Sequence, residues 1–423
     1  MANNLLTIKM ITREALRLYR NSNSFLKNVD TQYDSSFAKT GAKIGNTLNI
    51  RLPNDYVVGT GPTITPQGTQ ERQTSLSITN QFNVAMSFSS ADLSLSLDDF
   101  SRRILAPAVN RMAGQVATTL MSTVDMATMG GQGPAQHFVH NTDGSGNTIS
   151  PTAATVLQGG AILTNNGVPE GTRRVAMVDP MTEARLVSGF SGLFNPQSKI
   201  GDQFETGLLS KNTLGFDWYR DQTIIKHSTG TLSGVTVNGA GQTGNMLSVS
   251  VGSGGSLTLN PGDVFTVAGV NAVNYVTGAS LGTPRQFTYT GTGPLTIAGG
   301  SSGTVSVFPA ITPTGSTPGA QVAYGTVTAA PASGAALTMV NTAGETYRTN
   351  LLYVPEAFTM ATADLPMDSK QGVEMHRESY DGVSMRMAQQ YNIMTDQFIT
   401  RLDVLCGMAL LRPEWVVRMA DAI

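Results

Sequence analysis

Apolar and polar positions follow three rhythms along this chain. The first is helical. Between residues 96 and 129, Leu105, Val109, Met112, Val116, Leu120 and Val124 recur every three or four positions, which places them on one face of an α-helix. Gly130 and Gly131 stop the pattern. Ser96 with Asp99 three residues on resembles a capping box, and Asp98 and Asp99 suit the positive end of a helix. At 1.5 Å per residue the segment spans about 50 Å. Pro107 either kinks it or opens a second helix after a short one over 97–105. The pattern fits an ordinary core helix or a long spine across an elongated subunit. A shorter helix over 7–20 puts Ile8, Ile11, Ala15, Leu18 and Tyr19 on one face and Lys9, Arg13, Arg17 and Arg20 on another. That basic face is either simply solvated or a docking surface for an acidic partner or a neighbouring subunit.

The second rhythm has period two. Leu48, Ile50 and Leu52 alternate with Thr47, Asn49 and Arg51. Leu76, Ile78, Phe82, Val84, Met86 and Phe88 all fall on even positions, so one face of a strand is apolar. The polar tip over 54–73, rich in Gly and Pro, is long for a compact domain. The pair of strands reads as an arm whose apolar face needs a neighbour.

The third rhythm is short β-type runs between Gly- and Asn-rich turns. They fall at 235–237, 247–251, 264–267, 286–289, 304–308 and 326–328. Between positions 222 and 344 the only charged residues are Lys226, Asp263 and Arg285. This predicts an all-β barrel or sandwich of about six strands, inserted between segments of α/β type. On its N-terminal side lie a polar loop (130–151), helices over 155–165 and 179–186, and a strand over 175–178. A loop with a short helix follows over 191–219. On its C-terminal side strands are expected over 349–354 and 357–362. A hairpin over 373–391 turns at Asp381 and Gly382. A helical turn over 396–403 then leads into the apolar run 404–411.

Composition narrows the class. The chain has 423 residues, enough for more than one domain, and a formal net charge of −2. Only 13% of residues are charged, against a usual ~25%, and 45 are Gly. That balance suits large buried or self-associating surfaces, not a polyanion binder. The single cysteine, Cys406, excludes an internal disulfide. Signal-peptide and membrane-span patterns are absent, which points to the cytoplasm. Catalytic signatures are scarce. His137 and His140 stand His-x-x-His in a polar loop with no third ligand nearby, and His227 and His376 stand alone. Cys406 sits in an apolar run and reads as a buried structural thiol. No nucleophile elbow and no phosphate-loop lysine appears. The expectation is a structural protein with no enzymatic activity, no cofactor and no metal site.

The order of parts is similar to that of the major capsid protein of tailed bacteriophages. The resemblance implies an α+β chain of the Hong Kong 97-type fold, most similar to coat proteins of short-tailed, P-22-type phages, which carry an inserted β-barrel. Gly215-Phe216-Asp217 leading to 226–234 (KHSTGTLSG) resembles the family's lead into that domain. Pro261-Gly262-Asp263 followed by Val267-Ala268-Gly269-Val270 resembles its barrel core. Residues 405–410 (LCGMAL) with Arg412-Pro413-Glu414 resemble the C-terminal signature.

The resemblance implies an N-terminal arm (1–40), an extended loop (41–95) and a P-domain with the spine helix (96–150). An A-domain (151–220), the inserted barrel (221–346) and the remainder of the A- and P-domains (347–423) follow. It implies a homo-oligomer of hexamers and pentamers in an icosahedral shell around double-stranded DNA. A scaffolding protein and a portal protein take part, and the procapsid matures by expansion. No membrane is involved. Localisation is the virion, with assembly in the host bacterial cytoplasm. Lys9, Arg13, Arg17 and Arg20 are the candidate scaffold or neighbour contacts. Leu76, Ile78, Phe82 and Val84 are the candidate intersubunit face of the extended loop. Some relatives crosslink through a lysine on that loop. The tip over 54–73 has none, so no isopeptide bond is expected. Even ~500 Å² of burial per contact yields on the order of 10 kcal/mol before association costs. The rival readings are a tail-tube or decoration protein, a hydrolase with a β accessory domain, and an adhesion module.

Overall fold

The computed structural model describes residues 8–31, 47–52, 56, 62, 72–89, 101–126, 131–190, 209, 212–314, 325–365, 367, 373–380, 382–395 and 397–423. The expected capping box at Ser96 and Asp99, Gly130 and most of the tip over 54–73 lie outside them. The chain forms two compact units. One comprises Met1–Asn49, Ser75–Met121 and Phe358–Ala409, and the other Ile50–Thr74, Ser122–Ala357 and Leu410–Ile423.

In the first unit the spine is a wide π-type turn, Ser101–Leu105, followed by the α-helix Ala106–Met121. Pro107 therefore sits just after the π-type turn, where its missing N–H removes one helical hydrogen bond. Val109, Met112, Val116 and Leu120 are buried, as their spacing predicts. The α-helix is about 24 Å long at 1.5 Å per residue, half the reach of the whole 96–129 segment. The N-terminal helix Ile8–Ser22 packs on it and on the strand Glu374–Tyr380. Ile11, Ala15 and Tyr19 are buried, together with Thr12 and Leu16, while Leu18 is half-buried.

The sheet of this unit runs Thr47–Leu52, Arg72–Ser89, Gln397–Leu410, Val383–Asn392, Glu374–Tyr380, with Phe358–Ala363 also paired to Gln397–Leu410. Period two holds residue by residue along Arg72–Ser89: odd positions 81–87 are exposed, and even ones from 82 to 86 are half-buried. Tyr380 pairs with Val383, which leaves a two-residue turn with Gly382 at φ 76°. One expectation fails here. Residues 396–403 do not form a helical turn, because 397–403 begin the long strand Gln397–Leu410. That strand is antiparallel to a neighbour on each side, and pairing both its edges outweighs local propensity.

The second unit holds two larger sheets. One is ordered His137–Val139, Val416–Ala422, Thr346–Tyr353, Val175–Val178, Asp217–Arg220, with Lys226–Ser228 also on Thr346–Tyr353. The helices Ala153–Asn165 and Pro180–Phe190 belong to this α/β part. The expected polar loop 130–151 is thus partly strand, and His137, Phe138 and Val139 are buried in it. The other sheet has seven strands, ordered Leu295–Ile297, Gly244–Leu259, Ser302–Ile311, Ser280–Tyr289, Val264–Val273, Leu337–Met339, with Thr231–Val237 also on Gly244–Leu259. Hydrogen bonds between Val237 and residues 334 and 335 link its two ends, so the sheet closes on itself as a barrel. Val235, Val249, Leu257, Phe265, Phe287 and Val305 fill the interior. Five of the six expected runs lie in barrel strands. The run 326–328 makes only isolated bridges through Val327, and Leu295–Ile297 and Leu337–Met339 are additional.

Candidate interaction surfaces and the buried charge cluster

The basic face of the N-terminal helix borders a groove. Arg13, Arg17, Arg20, Lys27, Glu378 and Tyr380 line a cavity of about 680 Å³ there. Four cations face one carboxylate. Arg13 Nε donates to Glu378 Oε1 at 2.9 Å, and Arg17 is held by Glu14 at 2.7 Å. The hydrogen bond from Arg13 draws the Glu378 carboxyl below its usual range. Arg20 reaches the carbonyl of Leu26 at 3.4 Å, and burial lowers its pKa. Tyr380 is exposed. Lys9 is also exposed but does not line the groove. Three of the four candidate residues of this helix therefore share one concave surface.

The candidate face of the extended loop divides in two. Leu76 and Ile78 are buried within the chain itself, so they belong to its own core. Phe82 and Val84 stay half-buried and carry what remains of an uncovered face. Arg72–Ser89 is paired along Gln397–Leu410 from Ile78 to Ser89, which ties up its backbone edge and leaves the side-chain face of Phe82 and Val84 partly open.

The main polar site is one the sequence reading missed. His227 does not stand alone. Its Nδ1 lies 3.3 Å from Asp125 Oδ2 and its Nε2 2.9 Å from Asp263 Oδ1. Arg418, with no exposed surface, donates from Nη1 to Asp125 Oδ1 at 2.9 Å and to the Gly262 carbonyl at 2.6 Å. Its Nη2 reaches the carbonyl of Ala135 and Thr288 Oγ1, each at 3.2 Å. Asp263 Oδ2 accepts from the amides of Gly230 at 3.0 Å and Asn260 at 2.6 Å. Burial alone would lower the His227 pKa. The flanking carboxylates reverse that and push it up to about 9. Burial alone would raise the Asp125 pKa, yet His227 and Arg418 hold it below its ordinary value. Two carboxylates thus face one imidazolium and one guanidinium, and the cluster is neutral.

This cluster fastens the barrel to the neighbouring sheet. Gly262, Asp263 and Thr288 come from the barrel, and Asp125, His227 and Arg418 from outside it. Gln286 extends the seam by donating to the Phe138 carbonyl at 2.9 Å and accepting from its amide at 2.8 Å. Gly262 has φ 94°, and a Cβ there would lie 2.8 Å from that of Asp125, so only glycine fits. The barrel carries few charges, and Asp263 and Arg285 are both buried, bonded to His227 and Gln136 outside the barrel.

Chemistry elsewhere is sparse. Among the described residues there is no group of three metal-ligating side chains. Also among them, no helix is long and apolar enough to cross a membrane. Cys406 is buried and its thiol is pushed up to about 12 by that burial, so it is not poised as a nucleophile.

A shell-building class of protein fits an arm strand, a spine helix and a closed barrel. The family model described as "P22 coat protein - gene protein 5" matches residues 3–420. The chain belongs to the P22 coat protein family and is a major capsid protein, a component of the virion. A comparison with curated proteins found no match. Solved structures with similarity to the chain include one from Mycobacterium phage Che8, at 10% identity and TM-score 0.45, covering 94% of this chain and 90% of that one. The mature capsid of bacteriophage PhiM1 is similar at 10% identity and TM-score 0.42, covering 94% and 87%. The coat protein I-domain of CUS-3 is similar at 29% identity and TM-score 0.20, covering 27% of this chain and all of that one. The assignment rests on the family match.

Proposed function

We propose that copies of this chain form hexamers and pentamers, close into an icosahedral procapsid around a scaffolding protein and a portal, and expand as double-stranded DNA is packaged. The observation that carries this reading is the family match over residues 3–420. Assembly takes place in the host bacterial cytoplasm, and the chain has no enzymatic role. Phe82 and Val84 of the extended loop remain half-buried in the single chain, which supports lattice contacts through that face. The groove of Arg13, Arg17, Arg20 and Lys27 has an excess of positive charge, which supports docking of an acidic segment of the scaffolding protein or a neighbour. The tip over 54–73 has no lysine, so lattice strength comes from burial and hydrogen bonding without an isopeptide bond. Weak single contacts permit error correction, and many together make the shell durable.

The test is particle size by light scattering and negative-stain microscopy, with and without the phage's candidate scaffolding protein. Uniform closed shells are expected with both proteins present. A chain that stays monomeric or dimeric under all conditions overturns the reading. The variant carrying Arg13→Glu, Arg17→Glu and Arg20→Glu is expected to lose scaffold-dependent closure.

A further inference from the structure

Arg285 is the charge the cluster around His227 does not use. It stands on the barrel strand Ser280–Tyr289 and is only 6% exposed. Among the described residues its guanidinium donates to one acceptor, Gln136 Oε1, a neutral amide, and its Nε has no partner. Burial lowers its pKa to about 10, and the Glu414 charge works against that shift. A guanidinium carries five N–H donors. Burying one beside a single neutral acceptor is unfavourable unless an anion joins it.

A cavity of about 260 Å³ opens beside this residue. Arg285, His137, Gln158, Asn165, Thr283 and Gln286 are among its lining residues, and among the described residues no Asp or Glu lines it. A second cavity of about 240 Å³ also touches Arg285 but is lined by Glu414, which already supplies negative charge. His137 is buried too, and its Nε2 has no partner. Burial, and then the nearby Arg285, hold its ring neutral by lowering its pKa to about 3.

We propose that this cavity receives one small oxyanion, a phosphate or a carboxylate group, with Arg285 as its counter-charge and the side-chain amides of Gln158 and Asn165 as further donors. A guanidinium matches the two oxygens of such a group, and none of the described lining residues is acidic. The anion has two possible sources: a free inorganic ion, or a carboxylate side chain of a second copy of this chain. The second source rests on the shell assembly proposed above, and the first does not.

The probes are inorganic phosphate and acetate, titrated into the unassembled full-length chain at constant ionic strength set by sodium chloride. Saturable heat of binding and a matching rise in unfolding temperature are expected for at least one of them. Arg285→Gln is expected to weaken binding about tenfold or more. Without anion it should unfold at the wild-type temperature or above, because it removes a buried charge that Glu414 offsets only in part. Gln158→Leu, at an exposed position of the cavity wall, tests the site without touching the buried seam. It should also weaken binding. Binding that vanishes in closed shells assigns the occupant to a neighbour's carboxylate, and binding that persists assigns it to a free anion. No saturable response in the wild-type chain overturns the proposal. So does an equal response in both variants.

Discussion

Asp403 and Asp263 are both carboxylates with no exposed surface, one in each compact unit, yet their counter-charges differ. Asp403 is held at 2.7 Å by Arg386 and at 2.7 Å by Arg401, with Gln81 at 3.1 Å. Both arginines reach solvent, and the Arg401 side chain is 46% exposed. Asp263 leans on His227, which is sealed from water and shared with Asp125. An arginine stays charged at any pH a protein meets, and a histidine does not. The node on the first unit's sheet is therefore fixed in charge and open to relaxation. The node under the barrel is closed and can lose a proton. Removing a partner should cost most where no water waits to replace it.

The largest effect is expected from Arg418→Met. It strands Asp125 beside a single cation and leaves the carbonyls of Gly262 and Ala135 without this donor. Breaking a buried pair from one side costs about 3–5 kcal/mol. Both tryptophans, Trp218 and Trp415, lie in this unit, so their fluorescence in a urea titration reads the change directly. A loss below about 1 kcal/mol would show that the cluster is not what holds the barrel.

Next comes the pH dependence of the same unit. In the unfolded chain His227 has an ordinary pKa near 6.5, and in the folded chain it is raised to about 9. The folded state binds the proton more tightly, so the added stability is complete below about pH 6.5 and is lost as pH rises through about 9. A shift of that size corresponds to roughly 3 kcal/mol. Asp125 works on the opposite side. Its lowered pKa stabilises the fold above the usual carboxylate range and is lost in acid. Urea midpoints taken from neutral to alkaline pH are expected to fall for the wild-type chain. For His227→Gln they should start lower and stay flat. An unchanged wild-type midpoint through pH 9 would mean that His227 is neutral in the fold.

Neither node was legible in the sequence. His227 is 102 residues from Asp125 and 36 from Asp263, and no local rhythm links positions so far apart. Glycine offered a faint signal, since Pro261-Gly262-Asp263 stood out as a motif, but its partners did not. Features that depend on near neighbours were readable. The alternation along Arg72–Ser89, the turn at Gly382 and the place of Pro107 all follow from backbone geometry within a few residues. The strand Gln397–Leu410 was half missed because two partners on either side decide it, and one of those, Arg72–Ser89, lies more than 300 residues earlier. Likewise, Leu76 and Ile78 carried the right pattern, but the pattern cannot say whether the chain or a neighbour covers a face.

The smallest effect is expected at the open node. Asp403→Asn keeps one acceptor oxygen for an arginine and removes the charge. Arg401 can then turn to water, so the cost is about 1–2 kcal/mol. The pH profile should also separate the two nodes. The hydrogen bonds from Arg386, Arg401 and Gln81 outweigh burial and hold Asp403 below its ordinary pKa. Its contribution is therefore present above the usual carboxylate range, is lost as pH falls through the folded value, and does not change on the alkaline side. Hydrogen exchange of the amides in Gln397–Leu410, read by mass spectrometry, follows this unit apart from the tryptophans of the other. Alkaline weakening of that strand in step with the barrel would mean that the two nodes report one cooperative unit, and the contrast between them would fail. Alkaline protection that stays constant while the tryptophan signal shifts would localise the proton-sensitive element to the seam beneath the barrel.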